Sequence, residues 1–177
     1  ITLKMAGQYD DTQLSNLDSV VAVAPPCNLH ESAQHMVKAG KIFNFYFVNV
    51  LKNEAQKRFA RFPELKPILF PKHLNLIDFD DMYTAPSSGF QNATDYYEKS
   101  SSEQFLKNIN VPTLILHAYD DPIIDGSYLK RLSKNKNLTC ITTNSGGHVG
   151  FISRTDWLNN FRWMDSTIVD WIDYRLG

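Results

Sequence analysis

The chain has 177 residues, 43% hydrophobic and 21% charged, which excludes a disordered chain and is enough for one buried core. Eighteen lysines and arginines balance nineteen aspartates and glutamates to a formal charge of -1, so there is no electrostatic footprint for nucleic acid or an anionic membrane surface. No apolar run is long enough to cross a bilayer.

In chain order, ITLKMAG places Ile1, Met5 and Leu3 on one helical side and predicts a short helix closed by Gly7. A polar loop, QYDDTQLSN, leads into Ser19–Ala24, a continuous β-branched run that predicts a strand covered on both faces and ended by Pro25 and Pro26. From residue 28 the character changes. Lys41 onward carries Phe43, Tyr46, Phe47, Val50, Leu51 and Phe59 at helical spacing, with Lys52, Glu54, Lys57 and Arg58 opposite, and predicts an amphipathic helix that stops before Pro63. Pro63, Pro67 and Pro71 punctuate a loop, and Asp95 to Phe105 reads as helix again. So long a stretch of helix and loop between two buried strands exceeds what a crossover needs and predicts a cap-like insertion. Val111–Leu116 is a second buried strand, Asp125 caps a polar helix over 126–134 with Leu129 and Leu132 inward, and Leu138–Thr143 is a third strand. WLNNFRW reads as a turn-rich bridge to a closing helix with Met164, Ile168, Trp171, Ile172 and Arg175 on one side.

Two strand ends carry chemistry. In open parallel sheets, ligands and catalytic groups gather beyond the carboxyl ends of the strands. Asp121 sits there, stiffened by Pro122, and is preferred to Asp120 because Ala118 then takes the small position three residues earlier. His148 sits at the end of the next strand after Gly146 and Gly147, which allow a tight loop that approaches substrate without side-chain obstruction. Together they form the acid and base of a nucleophilic triad. Singly, an aspartate after a strand is most often a turn or capping residue, so the argument rests on the pair. Ser145, Ser87 and Ser88 lack the Gly-x-Ser-x-Gly elbow of an exposed nucleophile. His30 and His35 are five apart and share no helical face, which argues against a metal pair, and His73, His117, Asp80 and Asp81 read as structural. Cys27 and Cys140 follow apolar runs and read as small buried hydrophobes, consistent with a reducing, cytoplasmic setting. An upstream anchor or signal stays open, because numbering starts at Ile1.

HAYDDPII, SGGHVGF and the tryptophan-rich close, with FDDMYTAPSSGFQNATDYY and the helical segment before it, resemble the YheT-like branch of the α/β-hydrolase superfamily over essentially the whole chain. The resemblance implies an α/β fold: the C-terminal part of an α/β-hydrolase, with mainly parallel strands flanked by helices (residues 1–27 and 108–177) and a helical cap insertion (28–107). It implies carboxylic-ester hydrolysis by a Ser-His-Asp triad, with Asp121 as acid, His148 as base, a small ester or acyl substrate, no cofactor and no metal. The serine elbow is then expected upstream, with ITLKMAG as the helix that follows it and the isolated chain inactive. Either a missing N-terminal half or a second copy is expected to cover the edge of the Val20 strand. Phe43, Tyr46, Phe47 and Phe90 offer an apolar wall for an acyl chain or simple packing. An acyltransferase with the same triad and a truncated, non-catalytic interaction domain are the alternatives.

Overall fold

The structure, a computed structural model, describes residues 1–9, 16–39, 41–132, 135–152 and 162–176. They fall into two compact units, one made of Ile1–Asn28 with Ser101–Gly177 and the other of Leu29–Ser100.

The first unit is built on a parallel sheet of β1 (Val20–Val23), β2 (Thr113–Ala118) and β3 (Leu138–Thr143), in that spatial order. Val20 pairs with Thr113 and Thr113 with Leu138, so all three carboxyl ends lie on one side. Every residue of β2 is buried, as its place between two strands and under both faces requires. Ile115 faces a cluster with Leu3, Ala6, Val20, Leu106, Ile109 and Tyr128, whereas Leu116 and Ala118 face Phe151, Trp163 and Met164. Among the described residues β1 pairs with β2 alone, which leaves its outer side as a sheet edge.

Helix α1 (Thr2–Gln8) buries Leu3, Ala6 and Gly7; of the expected side, Leu3 is buried, Met5 half-buried and Ile1 fully exposed. Gly7 lies inside the helix, so it is no terminator. A Cβ there would come within 2.2 Å of the Phe105 carbonyl oxygen, and the glycine is what lets α1 lie against that backbone. Two 3-10 turns, Glu103–Asn108 and Gly126–Arg131, replace the end of one expected helix and the body of another. Asp125 does cap the second, its Oδ1 accepting from Ser127 N at 2.9 Å. The closing helix, numbered α7 in chain order (Trp163–Leu176), buries Trp171 and leaves Arg175 exposed with its guanidinium over the Trp171 ring. Most of the expected WLNNFRW bridge, the middle of the QYDDTQLSN loop, and residues 133–134 of the expected 126–134 helix lie outside the described residues. Cys27 is buried, and loss of hydration pushes its thiol up to about 11, but Cys140 is exposed, contrary to expectation. Alternate residues of β3 face outward, which is why an apolar run misleads there.

The second unit contains α2 (Leu29–Ala39), α3 (Lys41–Arg61), α4 (Leu76–Phe79), a π-helical turn (Asp80–Thr84), α5 (Ala85–Ser87) and α6 (Ala93–Ser100). Helix α3 ends before Pro63 as predicted, but its inward stripe runs through Val48 and Ala55, with Asn44, Leu51 and Phe59 half-buried. Phe43, Tyr46, Phe47 and Val50 are exposed, so spacing found the helix and chose the wrong face. Asn75 caps α4 in a reciprocal pair with Asp78. Asp80 is buried and accepts from the Tyr97 hydroxyl at 2.6 Å, and Asp81 accepts from Ala93 N at 2.9 Å.

The chain leaves the first unit and returns to it at one point. The carbonyl of Cys27 accepts from the amides of Ser102 and Glu103 at 2.9 and 3.0 Å, and Asn28 Nδ2 donates to Glu103 Oε2 at 2.8 Å.

Candidate active site

The site is assembled where β2 and β3 end side by side. Tyr119 N donates to the Thr143 carbonyl at 2.9 Å, which extends the strand pairing one residue beyond Ala118. The chain then turns, with Asp121 N on the Ala118 carbonyl at 3.2 Å. Pro122 has no N–H to give, and the next two amides, of Ile123 and Ile124, both donate to Asp121 Oδ1 at 2.8 and 3.0 Å. Asp121 is 5% exposed. Its other oxygen, Oδ2, lies 2.9 Å from His148 Nδ1. An ionised carboxylate can only accept, so Nδ1 is the donor, and in the neutral imidazole Nε2 then keeps its lone pair. The imidazole is part exposed while its carboxylate partner is enclosed. This is the arrangement in which an acid fixes a tautomer and leaves the basic nitrogen free.

The histidine loop is held from several directions. Gly150 N and Phe151 N both donate to the Gly146 carbonyl at 3.0 Å. Gly147 takes φ +59, the left-handed region that glycine enters without strain. A Cβ on Gly146 would meet the Phe151 ring at 2.7 Å. Asp120 Oδ1 accepts from both Gly146 N and Gly147 N, at 2.9 and 2.8 Å. By sequence Asp120 stands only as a rival to Asp121, because bonds from a side chain to distant backbone amides leave no residue pattern by which to find them. A cavity of about 320 Å³ beside the loop is lined by Thr143, Ser145, Phe151, Ile152 and Trp163.

His117, one residue before the end of β2, is fully buried, edge-to-face with Tyr128 and packed against Gly126. Burial holds its pKa below the ordinary histidine range, against the opposing pull of the Asp121 charge. Ser87 and Ser88 lie in the second unit, and Ser145 is exposed after β3. His30 and His35 both lie on α2, and His30 packs on Tyr97. Among the described residues no group of His, Cys, Asp or Glu converges as a metal site.

No family model matches the chain. Among curated proteins it is 37% identical to YheT of Escherichia coli (strain K12), which is named as an esterase, over 88% of this chain and 47% of that one. It is 27% identical to the monoacylglycerol lipase of Saccharomyces cerevisiae over 80% of this chain and 34% of the lipase. The medium-chain fatty acid ethyl ester synthase/esterase 2 of the same yeast is 35% identical over 52% of this chain and 20% of its own. The chain thus spans about half the length of the bacterial relative and a third of the yeast lipase.

Proposed function

The chain belongs to the α/β-hydrolase family, and from that premise we propose that it carries the acid and the base of a serine-type carboxylic-ester hydrolase. His148 is the base. Its Nε2 takes the proton of a serine hydroxyl, contributed N-terminal to residue 1, as that oxygen attacks the ester carbonyl. The same nitrogen returns the proton to the departing alcohol, leaving an acyl-enzyme, and then deprotonates the water that hydrolyses it. Asp121 keeps Nδ1 protonated and stabilises the imidazolium formed in both halves. The observation that carries this reading is the 2.9 Å contact between His148 Nδ1 and the enclosed carboxylate of Asp121.

Relatives named as an esterase and a monoacylglycerol lipase make acyl esters the substrate class to test first. Acyl transfer to an alcohol uses the same residues with the alcohol in place of water. The yeast relative whose name joins synthase and esterase favours keeping that reading second.

The test is fluorophosphonate labelling and p-nitrophenyl ester turnover by the product of the complete reading frame. Labelling and turnover should both collapse in His148→Ala, and the 177-residue chain alone should be inert. A His148→Ala protein that labels and turns over normally removes the triad reading. Adding ethanol separates the alternatives, since a transferase releases ethyl ester in preference to free acid.

A further inference from the structure

We infer that Asp120 is a positioning residue that aims the base: its carboxylate fastens the backbone turn from which His148 projects. The inference rests on the hydrolase reading for its catalytic meaning, but its geometry stands on the structure alone. Two consecutive amides, Gly146 N and Gly147 N, converge on the single oxygen Asp120 Oδ1 at 2.9 and 2.8 Å. Consecutive N–H groups pointing into one concavity form a small anion nest, here filled by a side chain of the same chain. His148 is the very next residue.

The need for such a fastening follows from the loop's composition. Gly146, Gly147 and Gly150 give the backbone around His148 more freedom than any other residues would, and Gly147 uses it at φ +59. Asp121 restrains the ring through Nδ1. A ring held by that one bond can still shift with the backbone that carries it, and a misplacement of about 1 Å lowers catalysis on the order of 10²-fold. Asp120 supplies the second restraint from the residue adjacent to the acid, so one Asp-Asp step locates both ends of the histidine. What is required of it is an acceptor oxygen at that point. Charge is secondary: an asparagine oxygen has two lone pairs and can receive both amides.

The experiment compares Asp120→Asn with Asp120→Ala and Asp120→Glu in the intact chain by NMR. It reads amide exchange at Gly146 and Gly147 and the hydrogen-bonded Nδ1 proton of His148. Asparagine should preserve both readouts. Alanine should speed exchange at both glycines at least tenfold and broaden away the Nδ1 proton, and glutamate, charged but one methylene too long, should resemble alanine. If alanine fails to fold, the asparagine and glutamate pair decides. Normal exchange and a sharp Nδ1 proton in alanine or glutamate overturn the inference, as does an asparagine variant as impaired as alanine. In the complete enzyme, Asp120→Ala should lower kcat on the order of 10²-fold with KM within about twofold, and Asp120→Asn should restore most of it. Turnover lost in His148→Ala but kept in Asp120→Ala overturns this inference alone, whereas turnover kept in His148→Ala overturns the hydrolase reading and leaves the NMR result standing.

Discussion

His148 meets Asp121 through Nδ1, 2.9 Å from Oδ2, while the opposite oxygen of the same carboxylate is occupied by the amides of Ile123 and Ile124. Asparagine at 121 either turns its oxygen to the two amides, so that its nitrogen donates to the ring and forces the wrong tautomer, or turns its oxygen to the ring and leaves the two amides without an acceptor. Asp121→Asn should therefore fold normally and lower kcat by a factor on the order of 10⁴, the size seen when the acid of a serine-protease triad becomes an amide. Single-turnover acylation measures it, and a loss under tenfold would leave Asp121 a turn residue only.

Gly7→Ala brings a methyl group within 2.2 Å of the Phe105 carbonyl oxygen and 2.8 Å of its carbon. In an open helix the change would gain about 1 kcal/mol of propensity. Here the obstruction is backbone, which cannot rotate away, and overpacking of about 1–3 kcal/mol should win. Urea unfolding of the variant should show a lower midpoint; a raised midpoint means that α1 can lift from Phe105 at little cost.

His117 sets a pH dependence. Its folded pKa is depressed by burial below the unfolded value of about 6.5. The unfolded chain therefore takes up the proton first, so this contribution is fully present above about pH 6.5 and is lost as pH falls toward the lower folded pKa. His117→Gln, which cannot titrate, should flatten the acid side of the stability curve as pH falls below about 6.5, the histidine reference value. Parallel curves for the two proteins would contradict it.

Tyr97→Phe removes the donor to Asp80 at 2.6 Å and leaves a buried carboxylate short of one partner. Loss of hydration already raises the Asp80 pKa, with hydrogen bonds from Thr84 and Tyr97 opposing it. The change should cost about 1–3 kcal/mol, and less when Asp80→Asn is already present. Equal losses in both backgrounds would mean that the hydroxyl contributes packing alone.

Much of the core was legible because its strands are apolar runs: Val20–Val23, Thr113–Ala118 and Leu138–Thr143 fall within two residues of expectation. The pair Asp121 and His148 was legible for a related reason, since parallel pairing brings consecutive strand ends to one side. Helix α2 was missed because Ala33 and Met36, its buried residues, are too few to show a period among polar neighbours. The inward face of α3 was misassigned because aromatic side chains advertise burial, whereas the stripe that turns inward is Val48 and Ala55 flanked by polar Asn44. The roles of Gly7 and Asp120 depend on Phe105 and on Gly146, each distant in sequence, and no local pattern encodes such meetings.

The carbonyl of Cys27, bridged to Ser102 and Glu103, closes a neck between two ends of chain that lie side by side. Whatever is threaded between those ends imposes no stretch on the sheet, and Asp121 and His148 both lie beyond it in sequence, past the carboxyl ends of β2 and β3. Exchange of the inserted segment for one of another length or shape is thus open to natural variation or to a designer at this junction.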